Sequence, residues 1–150
     1  MQKADLLGDG VKLMVVDQGD KAAFNGLEGL RFLKEGGFVS LPGDRVASAG
    51  ARTVEVKFLD HRITLPQAPY ALALVAGAPL FIFFSLRDAD GGYRIICKPI
   101  PMERASRKER PAAIQRAAQA YADTLAEVAR SYPEQWYCFD RFLGEKWGPE

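Results

Sequence analysis

An uncharged run from residue 63 to residue 86 (ITLPQAPYALALVAGAPLFIFFSL) constrains the fold more than any other feature of the chain. A run of this length and apolarity could form a membrane-spanning helix. Proline interrupts it at three positions, however, and the Gly77–Pro79 step is typical of a helix end. We therefore expect a buried helix at Tyr70–Ala76 and a buried strand at Leu80–Leu86 in place of a membrane span.

Length, charge and composition are those of an ordinary globular domain. The 150 residues are 48% hydrophobic and 26% charged, which excludes a disordered tail, a fibre and a disulfide-dense miniprotein. A chain of this length encloses one sizeable core, so we expect a single domain over residues 1–150. The net charge of +1 gives no general attraction to nucleic acid, which we do not expect as a partner. No signal-peptide pattern follows Met1, so a cytoplasmic location is expected.

Histidine and cysteine, the usual ligands of zinc and iron, are scarce in this sequence. His61 is the only histidine, and neither CxxC nor HxxxH spacing occurs, so we expect no metal site and no cofactor. Cys97 and Cys138 have apolar neighbours, which is typical of small buried side chains, and we expect no disulfide between them. Glycine-rich nucleotide loops and the nucleophile elbow are also missing from the sequence.

The first third of the chain has the pattern of a strand, a helix and a second strand. Val11–Val16 is a short apolar run, and Phe38–Leu41 is another, ended by Pro42 and Gly43. Between them, four apolar side chains recur on one helix face: Phe24, Leu27, Leu30 and Leu33. This spacing predicts a right-handed crossover that makes the two strands parallel neighbours. The expected class is therefore α/β, with a mixed, mostly parallel sheet and helices on its faces.

The remaining elements follow from periodicity and turn residues. Alternation predicts a strand at Thr53–Phe58 that resumes at Ile63–Leu65, and the strand from Leu80 is expected to pair with an antiparallel one at Tyr93–Cys97. Apolar steps of three and four predict an amphipathic helix from Pro111 to Tyr132, beginning near residues 109–111. Pro133 is expected to open a last helix, which would complete a C-terminal helical pair. Its apolar side would carry Trp136, Phe139, Phe142 and Leu143.

The loop Gly43-Asp44-Arg45 would leave the carboxyl edge of a parallel strand, where open α/β sheets bind ligands. Arg45 could bind a phosphate or carboxylate through both guanidinium nitrogens, with Asp44 orienting it. The alternative is an ordinary β-turn with an exposed ion pair, worth about 0 to 1 kcal/mol. His61 has no nucleophile or carboxylate at a recognisable spacing, which favours a turn residue over a general base.

A basic segment precedes and opens the long helix. Arg104, Arg107, Lys108 and Arg110 outnumber the acidic side chains around them. They fit either a solvated loop and helix start or a contact with an acidic surface, such as phospholipid headgroups or an acidic carrier protein. The aromatic residues near the C-terminus are typical of core packing.

Several segments, in order, resemble the lipid A biosynthesis type of acyltransferase within the lysophospholipid acyltransferase superfamily. They are FVSLPGDR (38–45), VEVKFLDHRITLPQAPYALALVAGAPLFIFFSLRD (54–88), GGYRIICKPI (91–100) and YPEQWYCFDRF (132–142). The most specific are the Phe58–Pro69 block, GAP at 77–79 and the Pro-x-Gln-Trp step ending at Trp136. The Gly43-Asp44-Arg45 loop is more similar to the aryl polyene and pigment-cluster branch than to the branch that acts on lipid A itself.

The resemblance implies a function that this sequence does not carry in full. The family uses a HxxxxD motif, in which the histidine is the general base, whereas His61 is followed five positions on by Pro66. The chain therefore resembles the carboxyl-terminal part of such a domain, with no catalytic residue of its own. The resemblance implies transfer of an acyl chain from acyl carrier protein or coenzyme A to a lipid or glycolipid hydroxyl. It places Gly43, Asp44 and Arg45 in the substrate-binding loop, and it implies peripheral contact with the inner membrane.

Two further expectations complete the prediction. A non-catalytic binding module is the alternative function, in which the Asp44–Arg45 loop or the basic segment docks a carrier protein or an anionic lipid. If the front of the domain is missing, an apolar face is uncovered, so we expect a homo-oligomer or pairing with the missing N-terminal half.

Overall fold

The structure, a computed structural model, describes residues 21–46, 50–138 and 141–148. These residues form three α-helices, four β-strands and one short 3₁₀ turn. In chain order the elements are α1 (Lys21–Lys34), β1 (Thr53–Phe58), β2 (His61–Pro66), α2 (Ala68–Ala76), β3 (Leu80–Arg87), β4 (Tyr93–Ile100), α3 (Arg110–Ser131) and the 3₁₀ turn (Pro133–Gln135). The predicted strand Val11–Val16 lies outside the described residues.

The uncharged run is divided as its proline and glycine residues predict. It passes through β2, α2 and β3, and Gly77 ends α2 at a φ of 67°, in the left-handed conformation that glycine adopts without strain. The amide of Gly77 donates to the carbonyl of Ala73, which completes the last turn. Among the helices in the described residues, none is long and apolar enough to cross a membrane.

The strands form two separate antiparallel hairpins. β1 pairs with β2 so that Val56 lies opposite Ile63, and β3 pairs with β4 so that Phe83 lies opposite Cys97. In the first hairpin, Leu59 and Asp60 have φ values of 47° and 62°, as a two-residue turn of matching twist requires. The second hairpin was predicted, whereas for the first only a strand that resumes after a turn was predicted. β4 extends three residues beyond the predicted Cys97, to Ile100.

The prediction of a mostly parallel sheet is wrong for the part of the chain that the structure describes. Both described sheets contain two strands joined by a short turn, and such a connection permits only antiparallel pairing. Phe38–Leu41, predicted as a parallel strand, is irregular. A strand needs a hydrogen-bonded neighbour, and Phe38–Leu41 pairs with none of the four described strands.

Helix α3 packs across the β1–β2 hairpin and forms the centre of the core. It begins at Arg110, which confirms the predicted start, and Pro111 occupies the first turn, where its missing N–H costs no helix bond. Its buried stripe consists mainly of alanine, which lets the helix approach the strands closely. The core-facing side chains of this helix are Ala113, Ile114, Ala117, Ala118, Ala122, Leu125, Ala126 and Ala129.

Two other helical predictions need correction. In the described residues after Pro133 there is no α-helix, because the chain makes only the 3₁₀ turn and then returns along the β1–β2 hairpin. The amide of Arg62 donates to the carbonyl of Glu145 at 2.8 Å, so this return is fixed by backbone pairing. The apolar face predicted for α1 is only partly covered: Leu27 is 67% exposed, Leu30 and Leu33 are half-buried, and the side chain of Phe24 lies outside the described part of the chain.

Candidate functional site

An apolar cleft of about 690 Å³ opens between residues 38–44, α2, β3 and α3. We refer to it as the apolar cleft. Its walls carry several aromatic side chains: Phe38, Tyr70, Phe81, Phe83, Phe84, Tyr121 and Trp136. Consecutive residues of β3 from Leu80 to Phe84 all line it, so this strand borders the cleft along an edge rather than with one face alone. The volume lies within the range of sites that bind small ligands.

Charge is nearly absent from the cleft wall. Among the described residues that line it, Asp44 alone carries a charged side chain. The other polar groups are the Ser40 hydroxyl, the Cys97 thiol, the Trp136 indole N–H and the phenols of Tyr70 and Tyr121, together with backbone. A wall of this kind favours long apolar ligands with few polar atoms, because each ionic group would lose its hydration there.

Two tyrosines pack edge-on inside the cleft. The rings of Tyr70 and Tyr121 are 6.4 Å apart between centroids, with an interplanar angle of 77°. Burial raises the pKa of both phenols, and the charge of Asp44 raises the pKa of Tyr121 further. Both side chains are therefore neutral over the physiological range and can donate a hydrogen bond.

Gly43 makes the close approach between the loop and α3 possible. A Cβ atom at this position would lie 2.5 Å from the hydroxyl oxygen of Tyr121 and 2.6 Å from its ring carbons. Real Cβ atoms do not approach that closely, so any larger residue at position 43 would displace the ring. Gly43 therefore fixes the position of Tyr121 at the cleft.

The predicted loop residues separate in the structure. Gly43 and Asp44 line the apolar cleft and are half-buried, whereas Arg45 is exposed and does not line it. Asp44 and Arg45 form no ion pair with each other in the described structure, so the carboxylate does not orient the guanidinium there.

The basic segment lies at the surface beside the start of α3. Arg104, Arg107, Lys108 and Arg110 are all exposed, and none of them forms an ion pair with another described side chain. The nearby Glu109 is occupied locally, because its carboxylate accepts the Ser106 amide at 2.9 Å. Hydrogen bonding from the side chain and then the backbone of Ser106 lowers the pKa of Glu109. The four cations are therefore available to an external anion.

His61 is the first residue of β2, directly after the two-residue turn that was expected to contain it. Its Nδ1 is 2.8 Å from the carbonyl oxygen of Leu59, and its backbone bridges to Lys146. The side chain does not line the apolar cleft. Because the sequence has no other histidine, no imidazole can act as a base in the cleft.

The cysteines differ from their predicted burial. Both are free of a disulfide, but Cys97 is exposed on β4 and Cys138 is only half-buried. Cys97 is exposed on β4 opposite Phe83, and both residues line the apolar cleft rather than the closed core. Within the described residues, no three acidic, cysteine or histidine side chains come close enough together to hold a metal ion.

Sequence reasoning missed the two cleft tyrosines as site residues. Tyr70 was assigned to a buried helix and Tyr121 to the apolar stripe of α3, and both placements are correct. The only sequence feature that could have identified them as site residues is the hydroxyl group that each tyrosine carries at a position predicted to be apolar. Which cavity these phenols share depends on how α2 packs against α3, and this contact is not local in sequence.

The sequence is similar to a known protein family. The profile of one protein family, described as bacterial lipid A biosynthesis acyltransferase, matches residues 9–143. No curated protein matches the chain.

Proposed function

The chain belongs to the bacterial lipid A biosynthesis acyltransferase family, and from this premise we propose that it forms the substrate-binding part of an acyltransferase. In this proposal an acyl chain passes from acyl carrier protein or coenzyme A to the hydroxyl of a lipid or glycolipid. The chain binds substrate and does not turn over alone, because it carries no HxxxxD motif. The Gly43-Asp44-Arg45 loop supports the aryl polyene and pigment-cluster branch of the family.

The apolar cleft is the observation that carries this proposal. Its aromatic and aliphatic wall can bury an acyl chain, and each buried methylene contributes about 0.8 kcal/mol. Asp44 stands at the loop end of the cleft, and Arg45 follows it in solvent. We assign Arg45 to the anionic headgroup of a lipid, since a guanidinium binds phosphate through two parallel hydrogen bonds.

The basic segment favours a second candidate function. Four exposed cations without ion pairs, at Arg104, Arg107, Lys108 and Arg110, could dock an acidic carrier protein or an anionic membrane surface. In that case the chain is a non-catalytic binding module, and its apolar cleft need not bind acyl chains. The two functions differ in the surface that binds, so they can be separated by mutation.

A fluorescent acyl-chain probe tests the first proposal directly. Leu72 lines the apolar cleft, whereas Val75 lies on the exposed side of the same helix, α2. We expect Leu72→Trp to weaken probe binding by about tenfold, because the indole displaces about two methylenes at about 0.8 kcal/mol each. Val75→Trp places the same indole outside the cleft and is expected to leave binding unchanged.

The outcome separates the two candidates. Equal probe affinity in the wild type and both variants would contradict acyl binding in the cleft. Replacement of the four basic residues by glutamine should leave probe binding intact if the cleft is the site. If that replacement abolishes carrier-protein or anionic-vesicle binding while the wild type binds no acyl probe, the binding module is the better function.

A further inference from the structure

Tyr70 carries a buried hydroxyl with no hydrogen-bond partner among the described residues. The side chain is 1% exposed, and its hydroxyl oxygen is the one buried side-chain polar atom without a partner in the described structure. Buried polar atoms are almost always hydrogen-bonded, because an unpaired one loses its hydration without compensation. Because Tyr70 also lines the apolar cleft, we take this closed-off hydroxyl as a group that a ligand satisfies once the side chains beside it move.

The surroundings of Tyr70 restrict what that ligand can be. A neutral phenol needs an acceptor atom, and the cleft around it contains no basic side chain to neutralise an anion. The carboxylate of Asp44, which lines the same cleft, repels a negatively charged group. Carboxylates and phosphates are therefore excluded from the position beside Tyr70.

A carbonyl oxygen fits this position better than an alcohol. It accepts a hydrogen bond and has no hydrogen of its own, so nothing is left unpaired in the apolar wall. An alcohol would bring a second donor into a region where acceptors are scarce. The apolar remainder of the ligand would contact the surrounding aromatic side chains.

We propose that the Tyr70 hydroxyl donates a hydrogen bond to the neutral carbonyl oxygen of an ester, thioester or amide whose apolar chain occupies the cleft. This inference rests on the proposed function, because it requires that the cleft bind an acyl chain. Tyr70 is a positioning residue here: it fixes how deep the carbonyl lies and selects neutral acyl derivatives over free fatty acids.

Four ligands with the same twelve-carbon chain test the proposal: methyl laurate, laurate, dodecanol and dodecane. Their affinities are measured by displacement of an apolar fluorescent dye from the wild type, Tyr70→Phe and the matched control Tyr93→Phe. Tyr93 is exposed and does not line the cleft. We expect methyl laurate to bind the wild type more tightly than the other three compounds. Tyr70→Phe should weaken methyl laurate by about threefold to tenfold, the range of one neutral hydrogen bond, and leave dodecane unchanged.

The urea concentration at which half of the protein is unfolded shows whether Tyr70→Phe folds. Removal of an unpaired buried hydroxyl is expected to raise the midpoint of the empty protein, since phenylalanine keeps the ring and loses the unsatisfied atom. A lower midpoint would mean that the hydroxyl already has a partner, and it would overturn the proposal independently of any ligand.

The binding results distinguish failure of this inference from failure of the proposed function. If dodecane and methyl laurate both bind and Tyr70→Phe keeps the preference for the ester, the role of Tyr70 is wrong while the acyl cleft stands. Dodecanol binding as tightly as methyl laurate would overturn the carbonyl assignment in the same way. If none of the four compounds binds the wild type, the acyl cleft itself is wrong, and the inference falls with it.

Discussion

The side-chain amide of Gln135 pairs with both backbone groups of Arg87. The Arg87 amide donates to Oε1 of Gln135 at 2.7 Å, and Nε2 of Gln135 donates to the Arg87 carbonyl at 3.0 Å. The glutamine thus continues the hydrogen bonding of β3 at its last residue. The same pair of bonds joins Gln119 of α3 to Lys57 of β1, at 3.0 and 2.9 Å. In both places the glutamine side chain makes the two backbone hydrogen bonds that a neighbouring strand would otherwise make.

This pairing explains one element of the family resemblance. Gln135 belongs to the Pro-x-Gln-Trp step, and its bonds to β3 hold the following Trp136 beside the apolar cleft. The Trp136 ring packs edge-on against Phe58 and Phe142, at centroid distances of 5.4 and 5.0 Å. Trp136 and Phe142 pack against the core as predicted, whereas Leu143 is exposed and Phe139 lies outside the described residues. The α-helix predicted to carry them is not formed in the described residues.

Gln135→Ala is expected to lower the free energy of unfolding by about 1 to 2 kcal/mol, because both bonds to Arg87 are lost. Chemical denaturation measures the change. Glu134→Ala is the control, since Glu134 is the exposed neighbour in the same 3₁₀ turn. Equal stability of the two variants would mean that these exposed bonds contribute nothing.

Alkaline pH is expected to destabilise the fold through the cleft tyrosines. Burial raises the folded-state pKa of Tyr70 and Tyr121 above the unfolded value of about 10, so the folded chain keeps protons that the unfolded chain loses. Below pH about 10 the phenols stay protonated in both states, so they do not change the free energy of unfolding. Above that pH, each phenol lowers the free energy of unfolding by up to about 1.4 kcal/mol per pH unit. Unfolding curves from pH 9 to 11 should show a shallower decline for the double variant Tyr70→Phe, Tyr121→Phe. The same slope in both proteins would contradict this assignment.

The purified chain is expected to show no acyl transfer from acyl carrier protein or coenzyme A above background. The Nδ1 atom of its sole histidine, His61, lies 2.8 Å from the carbonyl oxygen of the turn residue Leu59. The side chain does not line the apolar cleft. Release of free thiol from the donor measures turnover. Clear activity that His61→Ala abolishes would show that the chain catalyses by itself and would refute a purely substrate-binding role.

Arg45→Ala is expected to weaken binding of an anionic lipid headgroup by about 1.5 to 3 kcal/mol, the range for hydrogen bonds to a charged group. Sedimentation with anionic vesicles measures the affinity. The control is Arg52→Ala, which removes another exposed arginine of the described chain. If the two variants bind equally well, Arg45 is an ordinary turn residue, the alternative that the sequence left open.

Self-association is expected through the outer face of β3 and β4. Phe81 and Phe83 are 50% and 54% exposed there, beside the exposed Ile95, and all three residues also line the apolar cleft, so the interface would adjoin it. We expect a twofold dimer that buries more than about 1,000 Å² in total. Light scattering over a dilution series measures the mass, and Phe83→Glu should shift it towards the monomer. A monomer at tens of micromolar without an apolar dye-binding patch would count against this face as an interface.

The sequence by itself determined the local elements. Alternating residues define β1, the prolines and Gly77 divide the uncharged run, and the three-and-four spacing of α3 places its apolar stripe correctly. These features could be predicted because each depends on the chemistry of residues that are neighbours in the chain. The loop at Gly43 was also recognised as a candidate site, and two of its three residues line the cleft.

Only the tertiary structure decided strand direction, the shape of the cleft and the partners of its polar groups. The direction of a strand pair depends on which strands meet, so the parallel arrangement inferred from spacing was wrong for the described sheets. Gly43 meets Tyr121, and Gln135 meets Arg87, across separations that no periodicity encodes. The unpaired hydroxyl of Tyr70 likewise results from packing, because burial removes water from an atom without supplying a partner.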